Sequence, residues 1–175
     1  MNAIAEPVMI PPGIHAPMLP AADPAVRDGI LDIPGEMALH HGGRLSGVRV
    51  AWRMVGPANA AVVCALGGIS ASRLVCFEGP RHLETERPGT SETRHRETER
   101  RGWWSEIAGV GRPLDTHRYR VLSFDYLGGS GDTTGPRAAE PFPSISTFDQ
   151  AELLLRLVNH LGISARRAIV GGSYG

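Results

Sequence analysis

A chain of 175 residues with 42% hydrophobic side chains is long enough to bury the core of one domain. Its 18 basic residues, all arginine, balance 18 acidic ones, so a global electrostatic attraction to nucleic acid or to a membrane surface has no support. Two cysteines, Cys64 and Cys76, form neither a disulfide framework nor a zinc-ligand spacing, which fits a reducing, cytoplasmic setting. The start lacks the basic and apolar blocks of a signal peptide, and no apolar run approaches the roughly 18 residues of a membrane helix.

Residues 1–34 carry Pro7, Pro11, Pro12, Pro17, Pro20, Pro24 and Pro34 without sustained periodicity, and read as an irregular leader to a domain spanning 35–175. Met37 to His41, Gly42-Gly43 and the segment from Arg44 read as a strand, a tight turn and a returning strand. Val48 to Val55 alternates, with Val48, Val50, Trp52 and Met54 on one face and Arg49, Ala51 and Arg53 on the other. That is the pattern of a half-buried, antiparallel strand near a sheet edge. His40 and His41 are adjacent strand residues pointing to opposite faces, which argues against a shared metal.

Ala60 to Leu66 is short and continuously apolar, as a central parallel strand requires, and Gly67-Gly68-Ile69-Ser70 follows at the end where open α/β sheets bind ligands. Residues 79–101 are almost devoid of apolar side chains. Glu84-Thr85-Glu86-Arg87 recurs there as Glu97-Thr98-Glu99-Arg100, the mark of a charged, low-complexity insert whose glutamates nearly cancel its arginines. Gly102 to Ile107 is expected as a short helix, its tryptophans covering the sheet or lining a cleft. Tyr119 to Phe124 is the next strand, followed by the glycine-rich loop 125–132, whose spacing matches neither a P-loop nor a dinucleotide fingerprint. Ser146 to Leu161 is the clearest helix. Thr147 and Gln150 are read as its capping box, Phe148, Ala151, Leu155 and Val158 as its apolar stripe widened by Leu154 and Leu161, and Gly162 as its terminator.

Ala168-Ile169-Val170 suits a strand buried on both faces, and it leads directly into Gly171-Gly172-Ser173-Tyr174-Gly175. Alone, G-x-S-x-G matches any glycine-serine loop. After a buried strand it reads as a nucleophile elbow, the sharp turn that exposes a serine hydroxyl above a sheet. The order strand, strand, helix, strand, elbow describes the front half of an α/β-hydrolase fold with a mostly parallel sheet.

Several blocks in one order resemble the homoserine O-acyltransferases of that superfamily. They are Ala65 to Ser70, Gly102-Trp103-Trp104, Gly109 to Thr116, Leu127 to Pro136, Phe142 to Ser146, and the elbow. The resemblance covers residues 36–175 apart from the insert. It implies acyl transfer from succinyl-CoA or acetyl-CoA to the hydroxyl of L-homoserine, a step of methionine biosynthesis, with acyl-CoA as co-substrate and no other cofactor or metal. The wording around Gly67 and Asp125 leans toward members that transfer succinyl. By position, Ser173 is the implied nucleophile, and the backbone N–H groups of Leu66 and Tyr174 the implied oxyanion hole. Tyr174 stands where many members have methionine. The fold's order of Ser, then Asp, then His puts both partners after Gly175, so His117, His160, Asp125 and Asp132 are not expected to replace them. The 175 residues are therefore expected to be an inactive N-terminal part of a transferase whose full-length form is a homodimer. The alternatives are an esterase or thioesterase of the same fold, or a non-catalytic fragment.

Overall fold

The computed structural model describes residues 24–76, 102–137, 141–164 and 166–175. The insert expected at 79–101, and the leader up to residue 23, lie outside them. In chain order the strands are β1 (Val26–Asp32), β2 (Glu36–Ala38), β3 (Arg44–Ser46), β4 (Arg49–Val55), β5 (Ala61–Leu66), β6 (Ala108–Gly109), β7 (Leu114–Asp115), β8 (Tyr119–Phe124) and β9 (Arg166–Gly171), with helix α1 (Thr147–His160) before β9.

Five strands form one sheet in the order β1-β4-β8-β5-β9. β4 is antiparallel to both β1 and β8, whereas β5 is parallel to β8 and to β9. Parallel neighbours cannot be joined by a tight turn, and the crossover from β8 to β9 carries α1. The expected hairpin is present as β2 and β3, with Met37 opposite Leu45. The apolar runs at Ala61–Leu66 and Tyr119–Phe124 are parallel strands, as their continuous hydrophobicity implies.

The leader was expected to be irregular through residue 34, yet Val26–Asp32 is a strand paired with β4 along its whole length, from Val26 opposite Val55 to Asp32 opposite Arg49. Cross-strand contacts fix it there. Asp28 takes a two-pronged ion pair from Arg53 at 2.7 and 2.8 Å, and the Arg27 guanidinium lies over the Trp52 ring. With β1 outside it, β4 is no half-buried strand: Val50, Ala51, Trp52, Met54 and Val55 are all buried, so both of its faces are covered. Among the described residues β9 pairs with β5 alone, and Ile169 is 59% exposed where burial on both faces was expected.

The two faces of the sheet carry separate cores. One gathers Val50, Trp52, Met54, Cys64, Leu122 and Phe124 against Leu153, Leu154, Leu157 and Val158 of α1. The other gathers Val55, Ala65, Val75, Cys76, Ala108 and Val121, with Trp103 and Trp104 packed on them.

Helix α1 is capped one residue earlier than expected. Ser146 is the N-cap, and Asp149, in place of Gln150, closes the capping box on it. The buried face is also rotated: Leu153 and Leu157 point inward, while Phe148 and Leu155 are exposed. Gly162 ends the helix as expected, at φ 65°, with its N–H and that of Ile163 donating to the carbonyls of Asn159 and Val158. The short helix expected at Gly102–Ile107 is a run of turns. There the N–H groups of Trp103 and Trp104 donate across the chain to Leu74 and Val75, and Ser105 and Ile107 close three-residue loops.

Candidate functional site

Ser173 follows β9 directly, and its backbone has φ 62°, the one left-handed non-glycine conformation among the described residues. Such a backbone is costly for an L-residue and persists where the surroundings enforce it. Here the enforcement comes from packing of backbone on backbone. A Cβ on Gly171 would stand 2.5 Å from the carbonyl carbon of Gly175, and one on Gly175 would stand 2.5 Å from the carbonyl of Leu66. The two outer glycines of the pentapeptide are thus required by close approach. The turn is tied to the sheet by the Gly172 N–H, which donates to the Leu66 carbonyl at 3.1 Å, and it is closed by the Gly175 N–H donating to Gly172.

The structure brings the loop after β5 to the serine. A Cβ on Gly68 would lie 3.6 Å from both Cβ and Oγ of Ser173, which is van der Waals contact. Leu66 ends β5 opposite Gly171, and Tyr174 packs edge-on against Tyr126 with ring centres 5.5 Å apart. The residues expected from the sequence at this site, Ser173, Leu66 and Tyr174, therefore converge at the C-terminal ends of β5 and β9.

Three side chains assigned no role at this site from the sequence, Tyr126, Arg73 and Gln150, hold the surrounding loops. The Tyr126 hydroxyl donates to the Gly67 carbonyl at 2.9 Å. Burial, and after it the neighbouring Tyr174, push this phenol above its ordinary pKa, so it remains a donor at neutral pH. Arg73 binds Asp125 through its own backbone N–H at 2.6 Å and through its guanidinium, and reaches Asp132 at 2.6 Å. Burial opposes the Arg73 charge, but Asp132 and Asp125 together outweigh it and hold the guanidinium pKa above its usual value. Gln150 grips the backbone of Leu127 twice, accepting from its N–H at 3.0 Å and donating to its carbonyl at 2.9 Å. The signal for all three lay in residues far apart in sequence, which local pattern does not connect.

None of the other described titratable groups makes a hydrogen bond to Ser173. Asp125 and Asp132 share Arg73. His117 lies on the turn capped by Asp115, to which its backbone N–H donates at 3.0 Å, while its ring Nε2 is buried without a hydrogen-bond partner among the described residues. His160 is exposed at the end of α1. His40 stacks on Phe148, with centroids 4.3 Å apart, and its N–H donates to Asp149. Cys76 is buried and its thiol is pushed up to about 11, which leaves it protonated and unreactive at neutral pH. Among the described residues no helix is long and apolar enough to cross a membrane.

A sheet whose second strand is antiparallel, whose next strands run parallel, and which delivers a strained serine from a strand end is an α/β-hydrolase core. The crystal structure of homoserine O-acetyltransferase from Bacillus anthracis has this fold. It superposes with a TM-score of 0.67 over 86% of this chain and 40% of that one, at 23% identity. No protein-family model matches the chain. The homoserine O-acetyltransferase of Methanococcoides burtonii is 35% identical over 155 residues, 82% of this chain and 29% of that protein. The homoserine O-succinyltransferase of Nocardioides sp. is 34% identical over 151 residues, 78% of this chain and 36% of that protein. The chain belongs to the homoserine O-acetyl- and O-succinyltransferase family of the α/β-hydrolases. It spans about a third of the length of these two curated relatives.

Proposed function

We propose that this chain supplies the nucleophile and the oxyanion-binding amides of a homoserine O-acyltransferase, with acetyl-CoA or succinyl-CoA as donor and L-homoserine as acceptor. The observation that carries the reading is Ser173 itself, held at φ 62° between packed glycines, with Gly68 near enough that an added Cβ would touch its hydroxyl. Ser173 Oγ attacks the thioester carbonyl and gives up its proton. The C–S bond breaks, CoA leaves as the thiol, and an acyl-serine remains. The homoserine hydroxyl then forms the new ester, its proton returns to Ser173, and the serine–acyl bond breaks.

In both halves the N–H groups of Leu66 and Tyr174 bind the tetrahedral oxyanion, and each is worth about 3 kcal/mol of transition-state stabilisation. A serine hydroxyl is a weak nucleophile without a base. Among the described residues no hydrogen bond joins a histidine to Ser173, so the proton acceptor in this reading comes from outside the described residues. The cytoplasm as location and the homodimer are parts of the same proposal.

Release of CoA thiol by the full-length protein tests it. The expected result is release that depends on homoserine with one of the two donors and disappears in Ser173→Ala. No release with either donor counts against the reading. Release at the same rate without homoserine would make water the acceptor and the protein an esterase or thioesterase.

A further inference from the structure

We infer that Asp125 and Tyr126 are positioning residues that keep the loop after β5 in register with Ser173; the inference rests on the acyl-serine reading above. They are neighbours at the C-terminal end of β8, and both reach across to the same loop. Tyr126 holds it at the Gly67 carbonyl, and Asp125 holds it at the backbone and side chain of Arg73. Gly68, where an added Cβ would touch Ser173, lies between those two anchor points. The anchors are themselves immobile. Asp125 is fully buried, its N–H donates to Ala51 of β4 at 2.9 Å, and its second carboxylate oxygen also accepts the Asp132 N–H at 2.9 Å.

A buried carboxylate is costly unless fully paired, and here all the pairing is directed at the two loops beside the serine. Tyr126 adds a second link to the site, because its ring meets Tyr174 edge-on. Transition-state stabilisation by backbone amides depends on where those amides sit before the reaction, and a misplacement near 1 Å can cost about 100-fold. The hydroxyl of Tyr126 and the carboxylate of Asp125 therefore act through the loop without touching the reacting atoms.

The test uses the full-length protein with Tyr126→Phe, which keeps the ring and removes the one donor, and Asp125→Asn as the second variant. The burst of CoA release gives the acylation rate per active site and, by its amplitude, the fraction of competent sites. Amide hydrogen exchange across residues 66–73 reports the loop. The expected result for Tyr126→Phe is an acylation rate lower by about tenfold, a KM for the acyl donor within about twofold, full amplitude, and faster exchange in the loop. Asp125→Asn is expected to move the same readouts in the same direction.

A smaller amplitude at unchanged rate means a purely structural role and overturns the inference. So does a slowed burst with unchanged exchange, since the hydroxyl would then act on the substrate directly. In both cases a wild-type burst that Ser173→Ala abolishes leaves the acyl-serine reading standing. A wild-type protein with no burst overturns that reading, and this inference with it.

Discussion

β8 and β9 flank the same strand, β5, in the same direction, but they are used in opposite ways. β8 is bonded on both sides and buried on both faces: Leu122 meets the core under α1, and Val121 meets the core under the tryptophans. Among the described residues β9 pairs with β5 alone, and Ile169 is exposed. β8 ends in a loop whose polar groups are paired, and β9 ends in the strained serine. The elbow draws its shape from glycine backbone packed on Leu66 and needs little side-chain burial.

Breaking the serine at the end of β9 without touching the core has the largest expected effect. Ser173→Ala in the full-length protein should lower kcat by about 10⁶-fold while the thermal melt is unchanged, because the lost group serves chemistry alone. Breaking the interior comes next. Leu122→Ala and Leu157→Ala should each cost about 2–5 kcal/mol in urea unfolding of the 175-residue chain, whereas Ile169→Ala should stay within about 0.5 kcal/mol. Equal losses at Leu122 and Ile169 would erase the contrast between the two strands.

A sharper contrast lies inside the pentapeptide. Gly171→Ala must push the turn off Gly175 and should cost about 1–3 kcal/mol along with acylation. Gly172→Ala, with open space around its Cβ, should be nearly silent in both readouts.

The smallest expected effect belongs to the helix cap. Burial raises the Asp149 carboxyl pKa, but the N–H groups of Ser146 and His40 and the Ser146 hydroxyl more than reverse this and hold it below the ordinary carboxylate value. A lowered native pKa means that the stabilisation is present above the unfolded value of about 3.9 and is lost as pH falls through the native one. Asp149→Ala should therefore cost about 1 kcal/mol at neutral pH. The difference from wild type should shrink in unfolding curves taken on the acid side of the unfolded value.

What the sequence made legible are the features written locally. The continuous apolar runs gave β5 and β8, the glycine pair gave the hairpin turn, and the serine between spaced glycines gave the elbow. β1 was missed because its reason for being a strand is nonlocal: full-length pairing with β4 and the bond from Asp28 to Arg53. The helix face was misjudged because apolar residues stand on two stripes of α1, and only the sheet decides which is covered. The cap was ambiguous for a related reason. Ser146 with Asp149 and Thr147 with Gln150 are overlapping frames, and Gln150 was already spoken for by the backbone of Leu127. At the site, the serine could be read from the pentapeptide, but its supports, Tyr126, Asp125 and Arg73, became visible only when the strand ends were brought together.

The central claim is that Ser173 carries the acyl group between donor and acceptor. Full-length protein mixed with acetyl-CoA or succinyl-CoA in the absence of homoserine, quenched in acid and mapped by peptide mass spectrometry, tests it most directly. The account predicts one acyl group on the elbow peptide at Ser173, discharged when homoserine is added before the quench and absent from Ser173→Ala. An acyl group on another residue, or homoserine-dependent CoA release that survives in Ser173→Ala, would contradict it.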